Sequence, residues 1–171
     1  MIERATQFSK TEDMARALKR EQLGSRLAAK KSPVDVFKLL KLDDGVGKLV
    51  ASPAVSILTS YVNAFNSKSP TKKTTVMNTI MSSTKYDDGM VANALQAGKR
   101  VKGSKTRAVQ LQGFQFDRWI ELGIKPKKVI GLIFSTKNTA TEASIAKQYA
   151  AYYKEAKPIF DALDDLPLMV T

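Results

Sequence analysis

SPVDVFKLL, residues 32–40, is matched 93 residues later by KPKKVIGLI, residues 125–133, and the prediction of the fold starts from this match. Proline, valine and leucine coincide between the two, and Leu40 stands opposite Ile133. Further along, each half has three residues at the i, i+4, i+8 spacing of one helix face: Ile57, Tyr61 and Phe65, then Ile145, Tyr149 and Tyr153. Similarity at a fixed offset is typical of repeated structural units, so the chain is predicted to contain a duplicated helical unit.

Outside the repeat, the sequence also favours helices. Apolar residues recur with helical periodicity, and the apolar and polar alternation of a strand is not sustained anywhere. Helix starts are marked by first-turn prolines and by capping boxes at 9–12 and 139–142, in which a Ser or Thr precedes a Glu by three residues. The predicted fold class is all-α, with helices near 10–30, 33–42, 53–66, 72–83, 87–97, 105–122, 126–134 and 139–157. A loop is expected before Pro53, and Pro158 is expected to disturb the last helix.

The predicted domain organisation follows from one polar stretch. Residues 66–70 contain nothing to bury, and Pro70 would interrupt a helix there. Two helical units are therefore predicted, at 10–67 and 72–165, packed as one continuous helical protein.

Composition excludes several classes of protein. The chain has 171 residues, 43% of them hydrophobic and 26% charged, which is typical of a folded globular protein. It contains no cysteine and no histidine, so disulfides, thiolate metal sites and the commonest general base are all excluded. The adjacent aspartates at 43–44, 87–88 and 164–165 do not have metal-binding spacing. No catalytic, cofactor or metal site is predicted, and no apolar run reaches the 18 or so residues that span a bilayer.

The formal net charge of +12 predicts attraction to polyanions at low salt. The clearest basic cluster consists of Lys99, Arg100, Lys102, Lys105 and Arg107. Two interpretations stay open: a solvated basic loop, or a patch for nuclear import or nucleic acid. The cluster lacks interleaved aromatic residues that would stack on bases, which favours the first interpretation.

Three segments carry a resemblance to a known family. They are FDRWIELG at 116–123, KPKKV at 125–129 followed by Leu132, and YAAYY at 149–153. In this order they resemble the WY unit of secreted oomycete RXLR effectors, in which a tryptophan helix, a G-x-x-P-x-x-V-x-x-L helix and a tyrosine helix share one core. The resemblance places Trp119 at the tryptophan position and Tyr149, ahead of Tyr152 or Tyr153, at the tyrosine position.

The first half resembles a degenerate unit of the same kind, because Arg26 stands where the repeat would require tryptophan. Together, the repeat and the resemblance predict a structural core that includes Trp119, Tyr149, Tyr153, Val129, Leu132, Val36, Leu39, Tyr61 and Phe65.

The resemblance also implies a function. It implies a virulence effector that is secreted, enters the host cell and suppresses immunity by binding a host plant protein, without catalysis. No R-x-L-R sequence is present, so the chain is expected to start after the translocation region. The expected binding surfaces are the loops 41–52 and 134–139, with Tyr86, Met77 and Met81. The host compartment, whether cytoplasm, nucleus or membrane periphery, stays open, as does a homodimer. The alternative function is a small basic helical nucleic-acid-binding protein.

Overall fold

A computed structural model describes residues 31–134 and 139–164, with side chains to residue 159, and isolated positions before residue 31. This part of the chain contains helices and no strand, which confirms the predicted all-α class. The helices are α1 (Pro33–Leu39), α2 (Val46–Ala51), α3 (Ala54–Lys68), α4 (Val76–Ser83), α5 (Asp88–Gly98), α6 (Lys105–Glu121), α7 (Val129–Ile133) and α8 (Ala140–Asp164), with 3₁₀ turns at Pro70–Lys72 and Pro126–Lys128. The capping box at 9–12 and most of the predicted helix at 10–30 lie outside the described residues, although Glu21, Gly24 and Ser25 are helical.

The caps explain where several helices begin. Ser32 and Asp35 form a reciprocal capping box at the start of α1: the Asp35 amide donates to the Ser32 hydroxyl at 3.2 Å and the Ser32 amide donates to the Asp35 carboxylate at 2.9 Å. These bonds hold the pKa of Asp35 below its ordinary value. Thr139 and Glu142 form the predicted capping box before α8, with distances of 3.3 and 2.8 Å.

Two helices differ from the prediction. The loop expected before Pro53 contains α2, because Leu49 and Val50 are buried, and their packing outweighs the low helix propensity of Gly47. The last helix continues through Pro158 to Asp164. A proline there removes one amide donor, but Pro158 is exposed, so water can satisfy the carbonyl that it frees.

The buried side chains form two clusters. The first is built mainly from α1 to α5 and the start of α6, and its largest members are Tyr61, Phe37, Met77, Leu58 and Leu111. The second joins the later part of α6 to α7 and α8 around Trp119 and Tyr149. Helices α5 and α6 contribute side chains to both clusters. The predicted boundary between units at residues 67–72 stays a prediction.

Helices α2 and α5 approach closely because Gly98 has no side chain. A Cβ added at Gly98 would lie 2.4 Å from Val50 Cγ1 and 3.3 Å from Ala108 Cβ. We expect Gly98→Ala to lower the free energy of unfolding by about 1 to 2 kcal/mol, because the strain of overpacking exceeds the gain in helix propensity. Chemical denaturation followed by circular dichroism measures this change.

Gly113 provides the matched control, because it lies inside α6 with no atom within 4 Å of an added Cβ. Gly113→Ala should raise the free energy of unfolding by up to about 1 kcal/mol. A Gly98→Ala protein as stable as Gly113→Ala would contradict the close approach of α2 and α5.

Candidate interaction surface

The aromatic residues singled out by the family resemblance lie in one cluster. Trp119 and Tyr149 are both fully buried, with ring centroids 5.2 Å apart and planes inclined at 85°. Phe116 lies 5.3 Å from each of them, and Tyr153 lies 5.8 Å from Tyr149. Edge-to-face aromatic contacts of this kind add to the stabilisation from burial. The cluster holds α6 and α8 together.

The polar atoms of the Trp119 and Tyr149 side chains are already hydrogen-bonded. The Trp119 indole N–H donates to Asp88 at 2.9 Å, and the Tyr149 hydroxyl donates to the Ile124 carbonyl at 2.6 Å. Burial, and then the neighbouring Tyr153, raises the pKa of Tyr149 above its ordinary value. Trp119 and Tyr149 therefore have no free polar group with which to orient a ligand.

An equivalent hydrogen bond occurs in both halves of the chain. The buried Tyr61 hydroxyl donates to the Lys31 carbonyl at 2.7 Å, just as Tyr149 donates to Ile124. Lys31 and Ile124 are themselves related by the 93-residue offset, and each lies two residues before a proline. The duplication seen in the sequence thus extends to individual hydrogen bonds.

The predicted core residues divide into two groups. Those that lie in or against the two buried clusters are Val36, Tyr61, Phe65, Trp119, Val129, Tyr149 and Tyr153. Leu39 and Leu132, by contrast, are 55% and 64% exposed. The prediction that these two leucines are buried is wrong, because each belongs to a helix of at most seven residues whose other apolar side chains, such as Val36 and Val129, face the core. Their positions are equivalent in the repeat, so both halves expose the same leucine.

The surfaces expected to bind a partner also need correction. Met77 is fully buried, and Met81 and Tyr86 pack against the first cluster rather than standing free. Their positions on or next to α4, which packs on α1 and α6, explain this burial. In the loop expected at 134–139, Phe134 is buried and residues 135–138 lie outside the described range.

Two members of the basic cluster have structural roles. Arg107 donates to the carbonyls of Val50 and Ala51 at 3.1 and 2.8 Å, which satisfies acceptors at the end of α2. Lys99 donates to Gln148 at 2.6 Å, and burial lowers the pKa of its ammonium group. Arg100, Lys102 and Lys105 are exposed. Only part of the predicted basic patch is therefore available to a polyanion.

Asp88 connects three helices, although the sequence marked it only as one of a pair of adjacent aspartates. Asp88, at the start of α5, accepts from the guanidinium of Arg118 and from the indole of Trp119, each at 2.9 Å. Arg118 also donates to Asn78 of α4 at 2.9 Å, and Gln115 donates to the Asp88 carbonyl at 2.8 Å. We call these five residues the Asp88 network. The sequence signals that pointed towards it are the aspartate pair at 87–88 and the adjacency of Arg118 to Trp119.

One open groove has polar and charged side chains in its lining. It has a volume of about 410 Å³ and lies between α3 and α6, where its lining includes Asn63, Phe114, Asp117 and Glu121. Burial, and then the charge of Asp117, raises the pKa of Glu121, while Arg118 lowers it. Among the described residues, no group of three His, Cys, Asp or Glu side chains could hold a metal ion. None of the described helices is long and apolar enough to cross a membrane.

Exposed apolar side chains occur near a basic segment. Leu122, at the end of α6, is 56% exposed, and Leu132 follows ten residues later on α7. Between them lie Lys125, Lys127 and Lys128, all of which are exposed. We call these five residues the leucine–lysine surface. Exposed apolar side chains that lie close in sequence to exposed lysines suit a protein partner with an apolar pocket and an acidic rim.

Comparison with known proteins identifies clear relatives. No family model matches the chain. The RxLR effector protein PSR2 of Phytophthora sojae is 32% identical over 133 residues, which are 78% of this chain and 20% of that protein. PSR2 of Phytophthora infestans is 33% identical over 78% of this chain and 17% of its own length. The chain thus spans about a fifth of the length of these curated relatives.

A solved structure supports the same relationship. The crystal structure of PcRxLR12 superimposes with a TM-score of 0.67 at 31% sequence identity. The match covers 85% of this chain and 35% of that one. The similarity therefore includes most of the helical bundle described above.

Proposed function

The chain is homologous over most of its length to RxLR effector proteins of Phytophthora, and we propose that it is a non-catalytic effector module that binds a host plant protein. RxLR effectors are secreted and delivered into host cells. By binding its partner there, the module suppresses the immune response of the plant. The observation that carries this proposal is the relationship to RxLR effectors in both sequence and fold.

The structural roles of the buried side chains support a binding function for the exposed ones. The aromatic rings and the Asp88 network are used to hold the helices together, so their chemistry is not available to a substrate. The rigid interior leaves exposed helix ends and loops free to contact a partner. A stable helical scaffold with a specialised exterior is what recognition of another protein requires.

Within this proposal, the leucine–lysine surface makes the contact. Leu122 and Leu132 supply apolar area to an interface, and the three lysines steer the module towards an acidic surface. Leu39, the repeat equivalent of Leu132, lies in the other half of the chain and serves as an internal reference.

The test is a pull-down from nuclease-treated plant extract with the purified chain as bait. We expect one dominant partner, whose recovery falls at least about tenfold with the double variant Leu122→Asp, Leu132→Asp, because hot-spot contacts in the centre of an interface carry most of the binding energy. Leu39→Asp is the matched control and should retain the partner. Circular dichroism verifies that all three proteins are folded.

The same experiment distinguishes binding to a host protein from the alternative function, binding to nucleic acid. If recovery depends on nucleic acid, nuclease treatment abolishes it, and Arg100→Glu together with Lys102→Glu reduces it more than the leucine changes do. That pattern would contradict the proposal and favour a nucleic-acid-binding protein.

Light scattering of the unmodified chain shows whether a homodimer forms. Loss of a dimer with the leucine variant would assign the leucine–lysine surface to self-association instead.

A further inference from the structure

The chain contains three Ser-Pro dipeptides, and their serine hydroxyls differ in structure. Ser32 caps α1, where its hydroxyl contacts Asp35 at 2.8 Å. The Ser52 hydroxyl accepts the Ala54 amide at 3.2 Å. The Ser69 hydroxyl, by contrast, makes no hydrogen bond within the described part of the chain. All three serines are partly buried, and of the three only Ser69 has a hydroxyl without a hydrogen-bond partner there.

Ser69 is partly buried at the start of a loop that the structure presents to solvent. The loop follows α3 and is closed at its base by Asn66, whose amide donates to the Thr74 carbonyl at 2.7 Å and accepts from the Thr74 amide at 3.0 Å. Between these anchors, residues 70–73 are exposed. The two hydrogen bonds therefore hold the tip of the loop away from the core.

The conformation at the tip is weakly held. The 3₁₀ turn Pro70–Lys72 buries no side chain, and the Lys72 amide donates to the Ser69 carbonyl at 3.0 Å. A net contribution of about 1 kcal/mol is typical of such a bond. An enzyme could therefore extend this segment in its active site without disturbing either buried cluster.

The residues after each serine also differ. Three positions beyond Ser69 stands Lys72, whereas the corresponding residues are Asp35 after Ser32 and Val55 after Ser52. Lys68 and Lys73 add positive charge around Ser69, and the sequence has no Asp or Glu between Asp44 and Asp87. Pro70 has no backbone N–H, so an apolar enzyme subsite can accept it without an unsatisfied donor.

We propose that Ser69 is a phosphorylation site for a proline-directed serine/threonine protein kinase that favours a basic residue three positions after the serine. The Ser69 hydroxyl oxygen attacks the γ-phosphorus of ATP and forms a new P–O bond. The bond from that phosphorus to the β–γ bridging oxygen breaks, ADP leaves, and the serine proton passes to the base of the kinase.

The modification goes beyond the proposed binding function, because it would change the charge of a separate loop. Lys68, Lys72 and Lys73 give the loop a charge of +3. A phosphate adds about −1.5 to −2 at neutral pH and can pair with the neighbouring lysines. Phosphorylation would therefore cancel about half to two thirds of the positive charge at this end of α3.

The test is in vitro phosphorylation of the purified chain by a recombinant kinase of the cyclin-dependent class with ATP and Mg²⁺. Intact-mass and peptide mass spectrometry should find one phosphate per chain, located on Ser69. Ser69→Ala should abolish incorporation, and Lys72→Glu should slow it at least about tenfold. Thr71→Ala is the matched control in the same loop and should be labelled at the rate of the unmodified chain.

Two results would overturn the proposal. One is phosphate on Ser32 or Ser52 at a rate equal to that on Ser69. The other is incorporation no faster than into Ser69→Ala while the same kinase labels a standard peptide substrate. Because the assay requires no plant partner, its failure would leave the proposed binding function unaffected.

Discussion

Trp119→Ala should lower the free energy of unfolding by about 3 to 5 kcal/mol, which is a large part of the stability of a domain of this size. The indole is fully buried and contacts the rings of Phe116, Tyr149 and Phe134 at centroid distances of 5.3, 5.2 and 6.5 Å. Truncation leaves a cavity between α6 and α8. It also removes the indole N–H that donates to Asp88. Both effects destabilise the folded state.

Urea denaturation followed by far-ultraviolet circular dichroism measures the loss, since the variant no longer has tryptophan fluorescence. Leu132→Ala is the matched control: the side chain lies in the same half of the chain but is 64% exposed, so we expect a change within about 0.5 kcal/mol. Equal losses in the two variants would mean that the second core is not organised around the indole ring.

The contrast between Trp119 and Leu132 also indicates how far the sequence could predict the fold. The repeat predicts two helical units. In the structure, the hydrogen bonds from Tyr61 to Lys31 and from Tyr149 to Ile124 occupy equivalent positions in the two copies of the repeat. Aromatic residues at helical spacing are reliable markers of a core because their large area is seldom left in water. Leucines on a helix of one or two turns are not reliable markers of a core, because so short a helix does not define a single apolar face.

The interaction surfaces were harder to predict because they depend on contacts between distant parts of the chain. Met77 was expected at the surface, but α4 places it against the first core. Arg107 was expected in a basic patch, but it reaches the end of α2, a helix whose sequence, with two glycines close together, favoured a loop. In both cases a long-range contact decided the outcome, and local sequence carries little information about such contacts.

The Asp88 network is the clearest case of a feature set by long-range contacts, and its loss is the second large effect that we expect. Asp88→Ala should lower the free energy of unfolding by about 2 to 3 kcal/mol. The Asp88 and Arg118 side chains are 17% and 19% exposed, so the guanidinium and the Trp119 N–H would lose an acceptor in a largely dry environment. Some access to water keeps the cost below that of a fully buried pair.

A neighbouring residue and a double-mutant cycle isolate this effect. Asp87→Ala removes only the helix cap that accepts the Met90 amide at 2.7 Å, so it should cost about 1 kcal/mol. In urea denaturation, Asp88→Ala and Arg118→Gln should be strongly non-additive, because each removes the same ion pair. If the two losses simply add, or if Asp87→Ala costs more than Asp88→Ala, the carboxylate does not connect α4, α5 and α6 as the hydrogen bonds indicate.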